Sequence, residues 1–142
     1  MPYATLADLT TRYGEEEIRQ RSDHAGTGVI DPAVVAQALA DASAEIDAYL
    51  AGRYRLPLPS VPPHLVRIAC AIARYRLWDE AVPERVRIEY EDARRLLEAL
   101  ARGTVTLGLP ADLPPAQQPG RGLAAAQSGP APVFGRDATG GY

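Results

Sequence analysis

Hydrophobic residues recur at intervals of three and four along most of the first hundred residues, which is the period of an amphipathic α-helix. Residues 5 to 13 predict a first short helix, with Thr5 suited to cap its N-terminus and Gly14 to end it. Residues 15 to 21 predict a second, because their acidic start opposes the positive end of the helix dipole. We expect Ile18 to be its inward-facing residue.

The pair Asp31 and Pro32 predicts the start of a longer helix, since an Asp cap followed by Pro in the first turn favours helix initiation. The apolar stripe of this helix consists of Val35, Leu39, Ala42, Ile46 and Tyr49. Its pattern predicts an end near Gly52 or Tyr54. Four prolines in residues 56 to 63 then exclude a helix and predict a stiff, extended connector.

Residues 64 to 79 are apolar almost all round, so we predict that they form the central helix of the domain. A last helix is predicted to open at Pro83 and to end at Gly103. Its apolar stripe consists of Val86, Tyr90, Ala93, Leu97 and Leu100. On its outer surface the ion pairs expected from a spacing of four are Arg87–Glu91, Glu91–Arg95, Arg94–Glu98 and Glu98–Arg102.

These segments predict an all-α fold, a compact bundle of about four to five helices spanning residues 1 to 109. The long helix, the central helix and the last helix carry the only large apolar surfaces. We therefore expect Leu39, Ile46, Ile72 and Leu97 to be buried in a core shared by these three helices.

From Pro110 the composition changes, with six Pro, six Gly and seven Ala in the last 33 residues. Such a segment cannot build its own core, so residues 110 to 142 are predicted to form an extended Pro/Gly-rich C-terminal arm. The only Phe, Phe134, and the terminal Tyr142 lie at its far end. This placement is typical of a docking peptide, and an inert disordered end is the alternative.

The charge of the chain argues against a nucleic-acid-binding protein. The net charge is −3, all 15 basic residues are arginines, and these are interleaved with Asp and Glu, so no basic stripe is present. No apolar run reaches the roughly 20 residues of a membrane-spanning helix. The N-terminus lacks the pattern of a signal peptide, so we expect a protein of the host cytoplasm with no membrane partner.

Catalytic and metal-binding motifs are weak. Residues 23 to 34 resemble the remains of an EF-hand loop, but Ala25, Thr27 and Val34 stand where calcium ligands are needed, and calcium requires about six to eight oxygens. The two histidines lack zinc-site spacing, and Cys70 is the only cysteine, which excludes an internal disulfide. We therefore expect no catalytic residue, no metal and no cofactor, and a protein that is not an enzyme.

Several motifs along nearly the whole chain together resemble the Mu-like prophage proteins related to head-tail connector, or adaptor, proteins of tailed phages. The segments that carry this resemblance are residues 3 to 9, 13 to 17, 30 to 31, 44 to 54, 56 to 58, 61 to 63, 73 to 77, 87 and 90 to 93. The glycine turn before residue 30 departs from the more acidic version typical of such proteins.

The resemblance implies a helical subunit of the virion neck that packs side by side with copies of itself into a twelvefold ring beneath the portal. Its implied partners are further copies of the chain, the portal protein and a tail-side neck or tail-completion protein, with DNA only as passing cargo. The acidic balance suits a channel through which DNA slides. A small helical phage regulator or DNA-packaging accessory protein is the alternative.

Two groups of residues are candidates for contacts with the portal or with neighbouring subunits. The first group comprises arginines that need carboxylate partners if they are desolvated, and the second comprises the anchors of the arm. These residues are Arg53, Arg55, Arg74 and Arg76 in the domain, and Val133, Phe134, Arg136, Asp137 and Tyr142 in the arm. Because such contacts are ion pairs, we expect assembly to weaken with salt.

Overall fold

The computed structural model describes residues 2 to 109, and these residues form an all-α domain of five helices, as predicted. The helices are α1 (Leu6–Tyr13), α2 (Glu15–Ser22), α3 (Pro32–Leu50), α4 (Pro63–Leu77) and α5 (Glu84–Arg102). The predicted arm, including Val133, Phe134, Arg136, Asp137 and Tyr142, lies outside the described residues. No strand occurs between residues 2 and 109.

Local hydrogen bonds explain why the helices begin and end where they do. The Thr5 hydroxyl accepts from the backbone N–H of Asp8 at 3.2 Å, and the Asp8 carboxylate accepts from the backbone N–H of Thr5 at 2.8 Å. This reciprocal pair satisfies two donors that the first helical turn leaves unpaired. Asp31 caps α3 by accepting from the backbone N–H of Ala33 at 3.0 Å. Gly103 ends α5 with a left-handed φ of 82°.

The predicted end of α3 was two to four residues too late. The helix stops at Leu50 and continues as a turn, which turns the side chain of Tyr54 into the core, where it is 2% exposed. There the Tyr54 hydroxyl accepts from the backbone N–H of Leu107 at 3.3 Å. Helix α4 also stops early, at Leu77, because Trp78 is extended.

Helix α4 is the centre of the domain, as its apolar composition predicted. It contacts all four other helices, and nine of its 15 residues are buried. Small side chains at Ala69, Cys70, Ala71 and Ala73 let neighbouring helices approach closely. The four predicted core residues, Leu39, Ile46, Ile72 and Leu97, are all buried.

Helix α4 runs antiparallel to both α3 and α5. At one end of the bundle, Leu77 of α4 lines the same pocket as Val34 and Ala38 near the start of α3, and Tyr75 of α4 stacks on Tyr90 in the first half of α5. At the other end, the residues after α3 and after α5 meet at Tyr54. The chain therefore leaves the bundle toward residue 110 at the C-terminal end of α3.

Leu97→Ala should destabilise the domain by about 2 to 5 kcal/mol, because it leaves a cavity at a fully buried position where α5 packs on the core. Urea or thermal unfolding measures the change. Ile88→Ala, on the same helix but at a side chain that is 43% exposed, is the matched control and should cost much less. Equal losses in the two variants would contradict the packing described.

Candidate functional site

A buried arginine on α4 joins three other helices. The side chain of Arg74 is only 8% exposed, and it makes a two-pronged ion pair with Glu17 of α2, with N–O distances of 2.7 and 3.0 Å. Its remaining terminal nitrogen donates to Glu89 of α5 at 3.0 Å. All three guanidinium nitrogens therefore donate to carboxylates of the same chain.

Two aromatic residues complete this group, which we call the Arg74 cluster: Arg74, Glu17, Glu89, Tyr13 and Trp78. The Tyr13 hydroxyl, on α1, donates to Glu89 at 2.8 Å, and the Arg74 guanidinium lies 4.2 Å above the centre of the Tyr13 ring. The Trp78 indole N–H donates to Glu17 at 3.4 Å. The cluster thus ties α1, α2 and α5 to α4.

The cluster also sets the protonation of its members. Burial by itself would raise the pKa of Glu17, but the hydrogen bonds and positive charge of Arg74 outweigh it, so the pKa lies below its ordinary value. Burial, and next the hydrogen bond to Glu89, raise the pKa of Tyr13. At neutral pH, Glu17 is therefore a carboxylate and Tyr13 a neutral phenol that donates.

The sequence prediction for Arg74 was a contact with another subunit, with a bidentate carboxylate as the necessary partner. The structure supplies that partner inside the chain, in Glu17. Arg74 therefore has a structural role within its own domain, and its contact with another subunit stays a prediction. Sequence reasoning missed Glu17 because helix-dipole logic already accounted for an acidic first turn in α2.

The other three candidate arginines lie in different surroundings. Arg55 is exposed, and it makes no ion pair within residues 2 to 109. Arg53 is half-buried and covers Gly103, where an added Cβ would lie only 2.7 Å from its Cζ. Arg76 donates to Glu45 at 2.8 Å while its side chain stays 45% exposed. The structure does not gather the four arginines into one patch.

A second polar group lies where α3, α4 and α5 meet. Glu45 accepts from Arg76 with one oxygen and from the Tyr90 hydroxyl with the other, the latter at 2.9 Å. The Tyr90 ring stacks on Tyr75 with 4.1 Å between ring centres. The Tyr90 pKa is raised to about 12, by burial first and then by the hydrogen bond to Glu45. Glu45 therefore fixes the register of α3 against the other two helices.

The predicted ion pairs on the outer face of α5 are half correct. Arg87 pairs with Glu91 at 2.7 Å, and Arg95 approaches Glu91 at 3.9 Å. The two pairs predicted for Glu98 do not form within the described residues. Pairs at a spacing of three occur instead, and these are Arg87–Glu84 and Arg95–Asp92. Most of these groups are exposed, so they contribute little to stability.

The carboxylate of Asp23, in the loop after α2, accepts hydrogen bonds from the backbone of the same loop. Asp23 accepts from the backbone N–H groups of Thr27 at 2.8 Å and Gly28 at 2.6 Å, and these bonds lower its pKa. In the part of the chain that the structure describes, no three His, Cys, Asp or Glu side chains are grouped as metal ligands.

None of the described helices is both long and apolar enough to cross a membrane.

Cys70 is buried, and desolvation raises its pKa to about 11. Such a thiol stays protonated at neutral pH and packs as a small apolar residue.

A concave pocket of about 270 Å³ lies between α3, the end of α4 and the loop after α2. We call it the α3 pocket. Its floor is apolar, with Ala38 and Leu77 buried and Val34 half-buried. Its rim is charged, with Asp41, Arg76 and Asp79 exposed and Arg21 half-buried. This pocket could not be predicted from the sequence, because its walls come from segments far apart in the chain.

Comparison with known proteins gives a consistent family. A family model described as Bacteriophage Mu, Gp36 matches residues 3 to 125. The chain is 43% identical over 110 residues to the Mu-like prophage FluMu protein gp36 of Haemophilus influenzae, covering 78% of each chain. It is also 41% identical over 138 residues to Gene product J of Escherichia phage Mu, covering 96% of each chain.

Glu17→Gln should destabilise the domain by on the order of 3 kcal/mol at neutral pH, because it leaves Arg74 without its bidentate partner. The Glu17 pKa is lower in the folded chain than its unfolded value of about 4.3, so its contribution is present above that pH and is lost as pH falls through the folded pKa. Unfolding measured between pH 3 and 7 should therefore show wild type and variant converging in acid.

Glu16→Gln is the matched control for this substitution. Glu16 is the preceding residue and also pairs with an arginine, Arg19, but the pair is exposed to solvent. Its loss should change stability little at any pH. If the two variants behaved alike, the Arg74 cluster would not be the constraint described.

Proposed function

The chain belongs to the Bacteriophage Mu Gp36 family of Mu-like phage proteins, and on that premise we propose that it is a structural subunit of the phage neck. In this proposal it is a head-tail connector, or adaptor, and copies of it form a ring beneath the portal. Its C-terminal arm docks on the portal or on a neighbouring subunit. The role is mechanical, with no catalysed reaction.

The observation that carries the proposal is the extent of the similarity to the phage Mu protein. The last described helix ends at Arg102 and the described residues end at 109 of 142, so an alignment that covers 96% of the chain has to continue well beyond them. The relative therefore aligns with the region after residue 109 as well as with the described helices. A helical domain followed by such an extension is suited to a connector between head and tail, because the domain can build the ring while the extension binds a partner.

The physical properties of the domain support a mechanical role. Helix α4 contacts every other helix, and the Arg74 cluster holds three of them with charge-assisted hydrogen bonds. A domain tied in this way resists local opening, because α2 and α5 cannot leave α4 without depriving the buried Arg74 of a carboxylate partner. The net charge of −3 also suits a ring through which DNA passes.

Electron microscopy of assembled particles, with the protein located by a specific label, tests this function. We expect the label at the neck and a closed ring of this chain beneath the portal. A purified subunit can stay monomeric until the portal is added, so the mixture with portal is the informative sample. A chain absent from particles that binds DNA with strong salt dependence would instead support the regulator or packaging alternative.

Deletion of residues 130 to 142 should abolish the joining of heads to tails while leaving the domain folded. The deleted segment holds the apolar anchors Val133, Phe134 and Tyr142, whereas the core is built from residues before 110. Thermal unfolding and counts of joined particles measure the two effects. Replacement of Ala124 by Ser is a control in the same region and should leave joining intact. Infectious particles made with the truncated protein would contradict a docking role for the arm.

Arg55→Gln should weaken assembly with portal without changing the stability of the isolated domain, because Arg55 is exposed and makes no ion pair within residues 2 to 109. Its effect should be largest at low salt, where ion pairs between subunits are least screened. Titration of the complex by light scattering at several salt concentrations measures this. Arg87→Gln is the control, since Arg87 already pairs on its own helix. Equal behaviour of the two variants would remove Arg55 from the interface.

A further inference from the structure

The α3 pocket combines an apolar floor with a rim of both charges, and the domain itself leaves it open. Val34, Ala38 and Leu77 form the floor, and Arg76 and Asp41 lie on the rim. At about 270 Å³ it is large enough for one bulky side chain but small for most whole ligands. It therefore fits an anchor residue of a peptide, with charged neighbours along the rim.

The rim groups are partly held in place. Arg76 is fixed by Glu45 yet stays 45% exposed, and Arg21 lies over the Trp78 ring at 4.3 Å. Asp79 forms no ion pair within the described residues, and Asp41 accepts only from the neutral amide of Gln37, at 2.9 Å. Charges that are oriented but incompletely paired can bind an opposite charge at low entropic cost.

We propose that residues 133 to 137 of this same chain dock in the α3 pocket while the subunit is unassembled. Phe134 is the only Phe of the protein, and with Val133 it supplies an apolar anchor for the floor. The next charged residues, Arg136 and Asp137, are adjacent and opposite in sign. They match a rim on which Asp41 and Asp79 can receive the cation and Arg21 and Arg76 the anion.

The position of the chain's exit from the domain favours this intramolecular occupant. Residue 107 is fixed beside Tyr54, at the C-terminal end of α3, whereas Ala38 of the pocket floor lies 12 residues before Leu50. At the rise of an α-helix this separates exit and pocket by about 18 Å. The 23 residues from 110 to 132 form the connection, and a chain of that length can reach at most roughly 80 Å, so it covers this distance with slack.

A linker that is long enough to cover the distance gives the attached segment a high effective concentration, on the order of millimolar. A second copy of the chain at micromolar concentration competes poorly with such an attached segment. The occupant is therefore the arm of the same subunit. This inference concerns the unassembled chain, and it stands or falls independently of the ring.

Disulfide trapping in the full-length protein tests the contact. One variant carries Gln37→Cys, an exposed position on the pocket, together with Val133→Cys. The control carries Arg67→Cys, an exposed position on α4 outside the pocket, with the same Val133→Cys. Native Cys70 does not compete, because it is buried and its thiol stays protonated. Thermal unfolding first verifies that each variant is folded.

We expect an intrachain disulfide in the monomer for the Gln37 pair, formed about tenfold faster than in the Arg67 control and at a rate independent of protein concentration. Adding Phe134→Ala to the Gln37 pair should reduce its rate to that of the control, and this substitution lies outside the folded domain. Equal rates for the two pairs would overturn the proposal. Disulfide-linked dimers that form faster at higher protein concentration would also overturn it, in favour of a second copy as occupant.

Discussion

The buried charge of Arg74 is the constraint on which the arrangement of the helices depends. Helix α4 is otherwise apolar enough to be surrounded, and placing an arginine on it creates a desolvation cost of several kcal/mol unless every donor finds an acceptor. Two carboxylates accept these hydrogen bonds. Glu17 precedes Arg74 in the sequence, and Glu89 follows it. The short helices α1 and α2 bury few residues of their own, so this polar attachment largely determines where they sit.

Features encoded by neighbouring residues could be predicted from the sequence, and features that depend on distant residues could not. Thr5 and Asp31 act within their own first turns, so the starts of α1 and α3 were correctly predicted. Glu17 and Arg74 are 57 residues apart, and neither has a spacing that indicates the other. The end of α3 was misplaced for the same reason, because Tyr54 turns inward to contact residue 107.

The candidate site was also predictable only in part from the sequence. The motifs between residues 3 and 93 were specific enough to predict the family, which the comparisons confirm. An arginine on an apolar helix was expected to need a bidentate carboxylate, and Arg74 has one. Chemistry thus predicted the kind of partner but not whether it lay in the same chain or another. Arg55 and Arg76, whose side chains stay accessible, are better placed than Arg74 to meet a second chain.

If the arm binds the α3 pocket of its own domain before assembly, this contact must be weak enough for a partner to displace it. If the intramolecular contact were strong, the millimolar effective concentration of the attached segment would keep it in place, and a partner would have to supply the difference in free energy. The α3 pocket is suited to the weaker role: its floor has only a few apolar side chains, and its rim charges are exposed to screening. A portal or neighbouring subunit that offered a deeper site for Phe134 would therefore displace the contact. The Arg74 cluster also orients one side of this pocket, because Trp78, which donates to Glu17, lies under the guanidinium of the rim residue Arg21.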